Sequence, residues 1–196
     1  MEPDLISALF DKLLEIRTGL TIRAWEEVGD LIDVVSCSDD IADQRGPQIS
    51  PKMYREFIKP RHQSYFDSIR RYTSAKLLYH SCGAVTQLIP GFIDMGIDFI
   101  NPVQVSAKDM DTAWLKSTYG QEIGFWGAID TTHVLPFGSP SDVENEVRQR
   151  INDLGPGGGY ILAAVHNFQP NVDPENMLGM IEAARRFGTY PIKGDL

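Results

Sequence analysis

His80 and Cys82 carry the most chemistry per residue in this chain, separated by one serine and followed by Gly83. Imidazole nitrogen and thiolate sulfur are both zinc ligands, and a catalytic zinc takes three protein ligands and leaves one position open. At i and i+2 on a loop, the two side chains can turn toward one ion. A core thiol beside a hydrogen-bonded histidine has the same pattern, so the pair gains meaning only from its surroundings. It follows a short apolar run, and His166 ends another, which makes His166 a candidate third ligand. A neutral histidine in a pocket also serves as a general acid or an anion-binding donor, so His166 carries a catalytic reading beside the metal one.

Other polar residues gather in the same way. Asp39 and Asp40 close an apolar run and are candidates for a general base, a metal ligand or a binder of cationic nitrogen. An Asx turn or a helix cap would use the same residues. Asn101 and Gln104 follow a third run, Asp130 a fourth, and Asn167 stands next to His166 after a fifth. These four are candidate substrate-binding groups; Asp130 is equally a cap before Thr131-Thr132. His62, beside Arg61 in a helical stretch, reads as a surface residue, and His133 begins a helix.

The runs that position these residues are Asp33–Ser38, Lys76–His80, Asp98–Asn101, Ile123–Trp126 and Tyr160–Val165. Short continuous apolar runs fit strands buried on both faces of a parallel sheet. Between them lie helices whose starts are marked by Ser50-Pro51, Ser139-Pro140 and Asp173-Pro174: a capping side chain, then proline where no N–H is needed. Val143, Val147, Ile151 and Leu154 share one face of the second of these, and Met177, Ile181 and Ala184 one face of the third. Pro3 to about Gly29 reads as a long first helix with a break near Gly19. Gly96, Gly120 and Gly188 read as helix stops, and Pro156-Gly157-Gly158-Gly159 as a tight turn. Trp126 and Phe99 read as barrel core. Alternating strands and helices make an α/β fold with a parallel sheet. In such folds functional groups sit at the C-terminal strand ends. Five polar strand ends in register describe the floor of a pocket.

Composition narrows the classes. The 196 residues are 42% hydrophobic and 23% charged, an ordinary globular balance that suits one domain over residues 1–196. A net charge of −9 with no Lys/Arg cluster argues against nucleic acid; Arg70-Arg71 reads as a solvated helix end. No apolar run approaches the roughly 20 residues of a membrane helix. The opening Met1-Glu2-Pro3-Asp4 lacks the basic start of a signal peptide, so the expected location is cytoplasmic. Two cysteines, Cys37 and Cys82, do not make a disulfide scaffold.

Taken in order, the motifs resemble one family. They are Ser38-Asp39-Asp40, Ser50-Pro51, Phe57 and Pro60; then His80-x-Cys82-Gly83, Gly96-x-Asp98 and Asn101-Pro102-x-Gln104. Gly127-x-x-Asp130, Pro156-Gly157-Gly158-Gly159-Tyr160, His166, Pro170 and Pro174-Glu175-Asn176 complete the series. No single motif decides, but their order and spacing are similar to the uroporphyrinogen decarboxylase superfamily from about residue 30 onward. That resemblance implies a TIM-type (β/α) barrel of which this chain carries the C-terminal five strands. It also implies one of two activities: cofactor-free decarboxylation of uroporphyrinogen in tetrapyrrole and haem synthesis, or zinc-dependent methyl transfer between a corrinoid and a thiol-type acceptor. The His80-x-Cys82-Gly83 motif resembles the methyltransferase branch. His166 falls where decarboxylases place a characteristic histidine and where methyltransferases usually place a third zinc cysteine.

The expectation is therefore a zinc site on His80, Cys82 and His166, with Asp39 or Asp40 orienting the substrate or a corrinoid presented by a partner protein. The alternatives are a decarboxylase, with His166 contacting a substrate carboxylate, and a non-catalytic corrinoid- or porphyrin-binding fragment. The Arg-rich N-terminal segment by which the decarboxylases bind carboxylates has no counterpart here. An eight-stranded barrel takes about 250 residues, so the first three strands are expected to be missing. Two open sheet edges would then favour self-association.

Overall fold

The computed structural model describes residues 2–192. A 26-residue helix, α1 (Pro3–Val28), leads into β1 (Val34–Ser38). One helical turn, α2 (Pro51–Met53), runs through a π-helical stretch (Tyr54–Ile58) into α3 (Lys59–Arg70). Then come β2 (Lys76–His80), α4 (Ile89–Asp94), β3 (Phe99–Asn101), α5 (Thr112–Tyr119) and β4 (Gly124–Ile129). The chain ends with α6 (Val134–Phe137), α7 (Pro140–Leu154), β5 (Tyr160–Ala164) and α8 (Pro174–Phe187). None of the described helices is long and apolar enough to cross a membrane.

The five strands pair in parallel in the order β1-β2-β3-β4-β5. Consecutive strands lie side by side, as in a barrel wall, and among the described residues β1 and β5 each have one strand neighbour. The sheet is a partial TIM-type barrel. Its helix-covered face is closed by Val35, Cys37, Leu77, Tyr79, Ile100 and Phe125; in β1 these alternate with exposed positions, whereas in β2 the intervening Leu78 is buried too. Tyr79 and Phe92 stack at 4.8 Å between ring centroids, and Phe66 meets Tyr79 edge-on at 6.0 Å. A second cluster joins α7 and α8 to the far end of the sheet through Val143, Val147, Ile151, Met180 and Ala183.

The helix signals act as read at Ser50, Ser139 and Asp173, where each side chain accepts a backbone N–H of its helix. At Ser139 the bond is reciprocal: Asp142 accepts from the Ser139 N–H, completing a capping box. Gly127 has a reason beyond flexibility. Its φ is +128, and a Cβ there would stand 1.8 Å from the Pro102 carbonyl oxygen, so β3 and β4 approach this closely only with glycine.

Several details differ from expectation. Helix α1 is continuous through Gly19, because one glycine costs a long helix only about 1 kcal/mol. Strand β4 extends to Ile129, past the tryptophan where the apolar run loses its bulk. In α8 the buried residues are Asn176, Met180 and Ala183, with Met177 and Ala184 packed beside them as expected, whereas Ile181 is exposed; Asn176 donates to the carbonyls of Leu135 and Gly138. Phe99 and Trp126 pack edge to face at 6.3 Å but are only half-buried, since the concave side of the sheet is open.

Helix α1 has two apolar stripes. One, with Phe10, Leu14 and Trp25, faces the rest of the protein: the Arg61 guanidinium lies 5.9 Å from the Phe10 ring, and Leu14 and Trp25 pack against the core. The other is Leu5, Leu9, Leu13, Ile16 and Leu20, all about half exposed or more, and no residue of α1 is buried.

Candidate metal centre

Register brings the site together. Ser38, His80 and Asn101 are partners across β1, β2 and β3, so the residues that follow them emerge from one edge of the sheet. Ladder-like bonds continue past the strands: the Asp39 N–H donates to the His80 carbonyl at 3.0 Å, and the Ser81 N–H to the Asn101 carbonyl at 2.9 Å. The loop after β2 is then pinned on three sides. The Ser81 hydroxyl accepts from the Ile41 N–H at 3.2 Å, Asp40 Oδ1 accepts from the Cys82 N–H at 2.8 Å, and Gln104 Oε1 accepts from the Gly83 N–H at 2.7 Å. Gly83 makes the turn with φ +91, and a Cβ there would meet the Asp43 carbonyl oxygen at 2.5 Å.

Within this cage Asp40, His80 and Cys82 each offer one donor atom, and these atoms all lie within 4.8 Å of one another. His80 Nε2 is 3.5 Å from Cys82 Sγ and 3.9 Å from Asp40 Oδ1. A tetrahedral zinc would hold nitrogen and sulfur about 3.6 Å apart, and nitrogen and oxygen about 3.4 Å apart. The donor set and its spacing therefore fit zinc with little movement. Burial and the neighbouring Asp40 carboxylate both push the Cys82 thiol up from its usual range. A divalent ion bound there would offset the negative charge of a carboxylate and a thiolate together.

Each expected site residue has a definite place. His166 is exposed, its ring 6.4 Å from that of His80 between centroids, outside the donor group. It lines, with Ala42, Gln44, Cys82, Gln104 and Thr131, a cavity of about 340 Å³ next to the Cys82 sulfur. Asn101 Oδ1 lies 2.5 Å from His80 Nδ1, and its Nδ2 donates to the Trp126 carbonyl at 3.1 Å. Asp130 Oδ1 accepts from the N–H groups of Thr132 and His133, and Oδ2 lies 3.0 Å from His133 Nδ1; the carboxylate caps that turn. Asn167 is exposed, its main-chain carbonyl accepting from Gln169 Nε2 at 3.3 Å.

Asp39 turns away from the donor group. Its Oδ2 is 3.1 Å from His62 Nε2, and His62 Nδ1 is 3.4 Å from the Tyr54 hydroxyl. The His62 hydrogen bond holds the Asp39 carboxyl below the usual carboxylate range. His62 is thus no surface residue. Its side chain is 12% exposed and sits among the rings of Tyr54, Phe66 and Tyr79. The signal was present in the sequence: Ile58, His62, Phe66 and Ile69 recur at helical spacing, and the charged neighbour Arg61 masked the stripe.

The uroporphyrinogen decarboxylase (URO-D) family profile matches residues 1–187. A methylated-thiol--coenzyme M methyltransferase of Methanosarcina mazei is 28% identical over 103 residues, covering 53% of this chain and 26% of that protein. A uroporphyrinogen decarboxylase of Pseudoalteromonas translucida is 26% identical over 191 residues, 95% of this chain and 49% of that one. Among solved structures, a methyltransferase from Methanosarcina mazei superposes with a TM-score of 0.69 at 21% identity, covering 89% of this chain and 48% of the other. The chain spans about half the length, or less, of these relatives. With the family profile running through almost all of its residues, the chain belongs to the uroporphyrinogen decarboxylase (URO-D) family.

Proposed function

We propose that this chain is the metal-bearing part of a methyl-transfer enzyme, with zinc on Asp40, His80 and Cys82 and a corrinoid methyl group as donor to a small thiol-type acceptor. The observation that carries the reading is the meeting of nitrogen, sulfur and oxygen donors at one strand edge, all within 4.8 Å. The likeness to a methyltransferase of methylated thiols supports it. Zinc bound there would stabilise the acceptor's sulfur as thiolate, the form that attacks.

The protein's own groups do the rest. Cys82 and Asp40 bring negative charge to the ion, and the pinned loop from Ser81 to Gly83 keeps their spacing. The cavity of about 340 Å³ beside Cys82 admits the acceptor, with Gln44, Thr131 and His166 on its walls. His166, on the wall of that cavity, would take up or release the acceptor's proton. A methylated corrinoid, if it is the donor, would supply the methyl group as an electrophile to the acceptor's sulfur and keep the electron pair of the broken bond. The corrinoid would approach from the open concave side of the sheet, carried by a partner protein.

Zinc content of purified wild-type chain beside Cys82→Ser tests this. About one zinc per wild-type chain, lost in the variant, is the expected result; no zinc in either would overturn it. A second reading is favoured by the match to a decarboxylase over 95% of this chain, which is 49% of that protein. In it His166 contacts a substrate carboxylate and no metal takes part, so loss of carboxylate from uroporphyrinogen would persist in the presence of chelator. A fragment that only binds a corrinoid or porphyrin would show ligand absorbance changes without turnover.

A further inference from the structure

We infer that Asn101 is a positioning residue that locks His80 in one tautomer and thereby aims the lone pair of Nε2 at the metal site; this rests on the metal reading above. Trp126 fixes which way round the Asn101 amide lies. Its main-chain carbonyl can only accept a hydrogen bond, and it lies 3.1 Å from one end of the Asn101 amide. That end must be the NH2 group. The amide oxygen is then fixed on the other side, 2.5 Å from His80 Nδ1. An amide oxygen also only accepts, so Nδ1 must carry the proton. A neutral imidazole has one N–H, and Nε2 is left with its lone pair facing Cys82 Sγ and Asp40 Oδ1.

The lock is built on rigid parts. Asn101 pairs with His80 in the sheet register, and its carbonyl accepts from the Ser81 N–H, so main chain and side chain hold the same partner strand. Flipping the amide would set two acceptors against each other at Trp126 and would place NH2 against Nδ1. The proton would then move to Nε2, where it would block coordination. In the absence of metal, the same arrangement lets the Cys82 thiol donate to Nε2.

The test uses the full chain, with Asn101→Leu to remove the amide and Asn101→Asp to keep an acceptor for Nδ1–H. Two quantities are read: the His80 ring nitrogen shifts in metal-free protein, by long-range proton–nitrogen NMR where the imidazole is neutral, and zinc affinity by chelator competition. The wild type is expected to show the Nδ1–H tautomer. Asn101→Leu is expected to show mixed tautomers and a 10- to 100-fold loss of zinc affinity, the range seen when groups behind a ligand are removed. Asn101→Asp, whose second oxygen would face the Trp126 carbonyl, is expected to restore the tautomer and only part of the affinity. An Nε2–H tautomer in the wild type would overturn the inference, whether or not the leucine variant folds. So would a folded Asn101→Leu that keeps both the tautomer and the affinity. If wild type shows the Nδ1–H tautomer yet binds no zinc, the lock stands and the metal reading fails.

Discussion

Asp39 and Asp40 are adjacent in sequence and serve opposite sides of the sheet end: Asp39 Oδ2 lies 3.1 Å from His62 Nε2, while Asp40 Oδ1 accepts from the Cys82 N–H at 2.8 Å. The alternation of an extended backbone continues one step beyond β1, so neighbouring carboxylates are sent to different partners. One stabilises the fold and the other faces the candidate metal centre.

This division separates the two substitutions. Asp40→Asn is expected to lower zinc affinity at least 10-fold with little change in stability. Asp39→Asn should leave zinc affinity within about threefold. Its cost is about 1 kcal/mol of stability, a charged hydrogen bond discounted for the half-exposed carboxylate. Chelator competition and urea unfolding on both variants check the pair; equal zinc losses would show that the two carboxylates act as a unit.

The thiols are expected to differ in reactivity. Cys37 is buried in the core, and burial pushes its thiol up to about 11. Cys82 is half-buried and opens onto the 340 Å³ cavity. Iodoacetamide followed by mass spectrometry should therefore modify Cys82 alone in metal-free protein, and added zinc should protect it. Modification of Cys37 in the folded chain would contradict the packing described for β1.

A pH dependence follows from Glu146, which burial raises above its ordinary value of 4.5 despite the pull of Arg150. A carboxyl whose folded pKa is raised binds its proton more tightly when folded. Its contribution to stability is fully present below about pH 4.5 and is lost as pH rises through the raised folded value. The stability of Glu146→Gln relative to wild type should accordingly climb over that window. Urea midpoints from pH 4 to pH 8 measure it; a relative stability that falls with rising pH would reverse the sign.

The exposed stripe on α1 predicts association. Leu9 and Leu13 present apolar surface, and among the described residues β1 has no strand neighbour on its outer edge. The chain expressed alone should elute larger than its 21.9 kDa mass on gel filtration. The double variant Leu9→Lys with Leu13→Lys should shift it toward monomer. A wild-type chain that runs as a cooperatively melting monomer would refute this.

Much of the architecture could be read from local chemistry. The three Ser-Pro and Asp-Pro pairs mark helix starts because capping and proline geometry are local properties. The apolar runs mark strands by being short and continuous, although the burial on both faces read into them is missing for most: β1 alternates exposed and buried residues, and no residue of β5 is fully buried. His80 and Cys82 stood out because few residue types bind zinc. Asp40 could not be told from Asp39, since which carboxylate faces the loop depends on where β1 ends by a single residue. Asn101 looked like a pocket group because its partner, the Trp126 carbonyl, is backbone and carries no sequence signature. Ile181 was misplaced because the buried face of α8 includes Asn176, held by two hydrogen bonds to backbone carbonyls.

The donor atoms of the candidate centre come from the ends of only two strands, and one of these, β1, is the sheet's outermost. An ion held by Asp40 on one side and His80 and Cys82 on the other would therefore act as a clasp on a margin that is otherwise free to fray. Backbone amides of Val35 to Ser38 should exchange with deuterium more slowly when the clasp is closed, while those of β4, held on both sides, should scarcely respond.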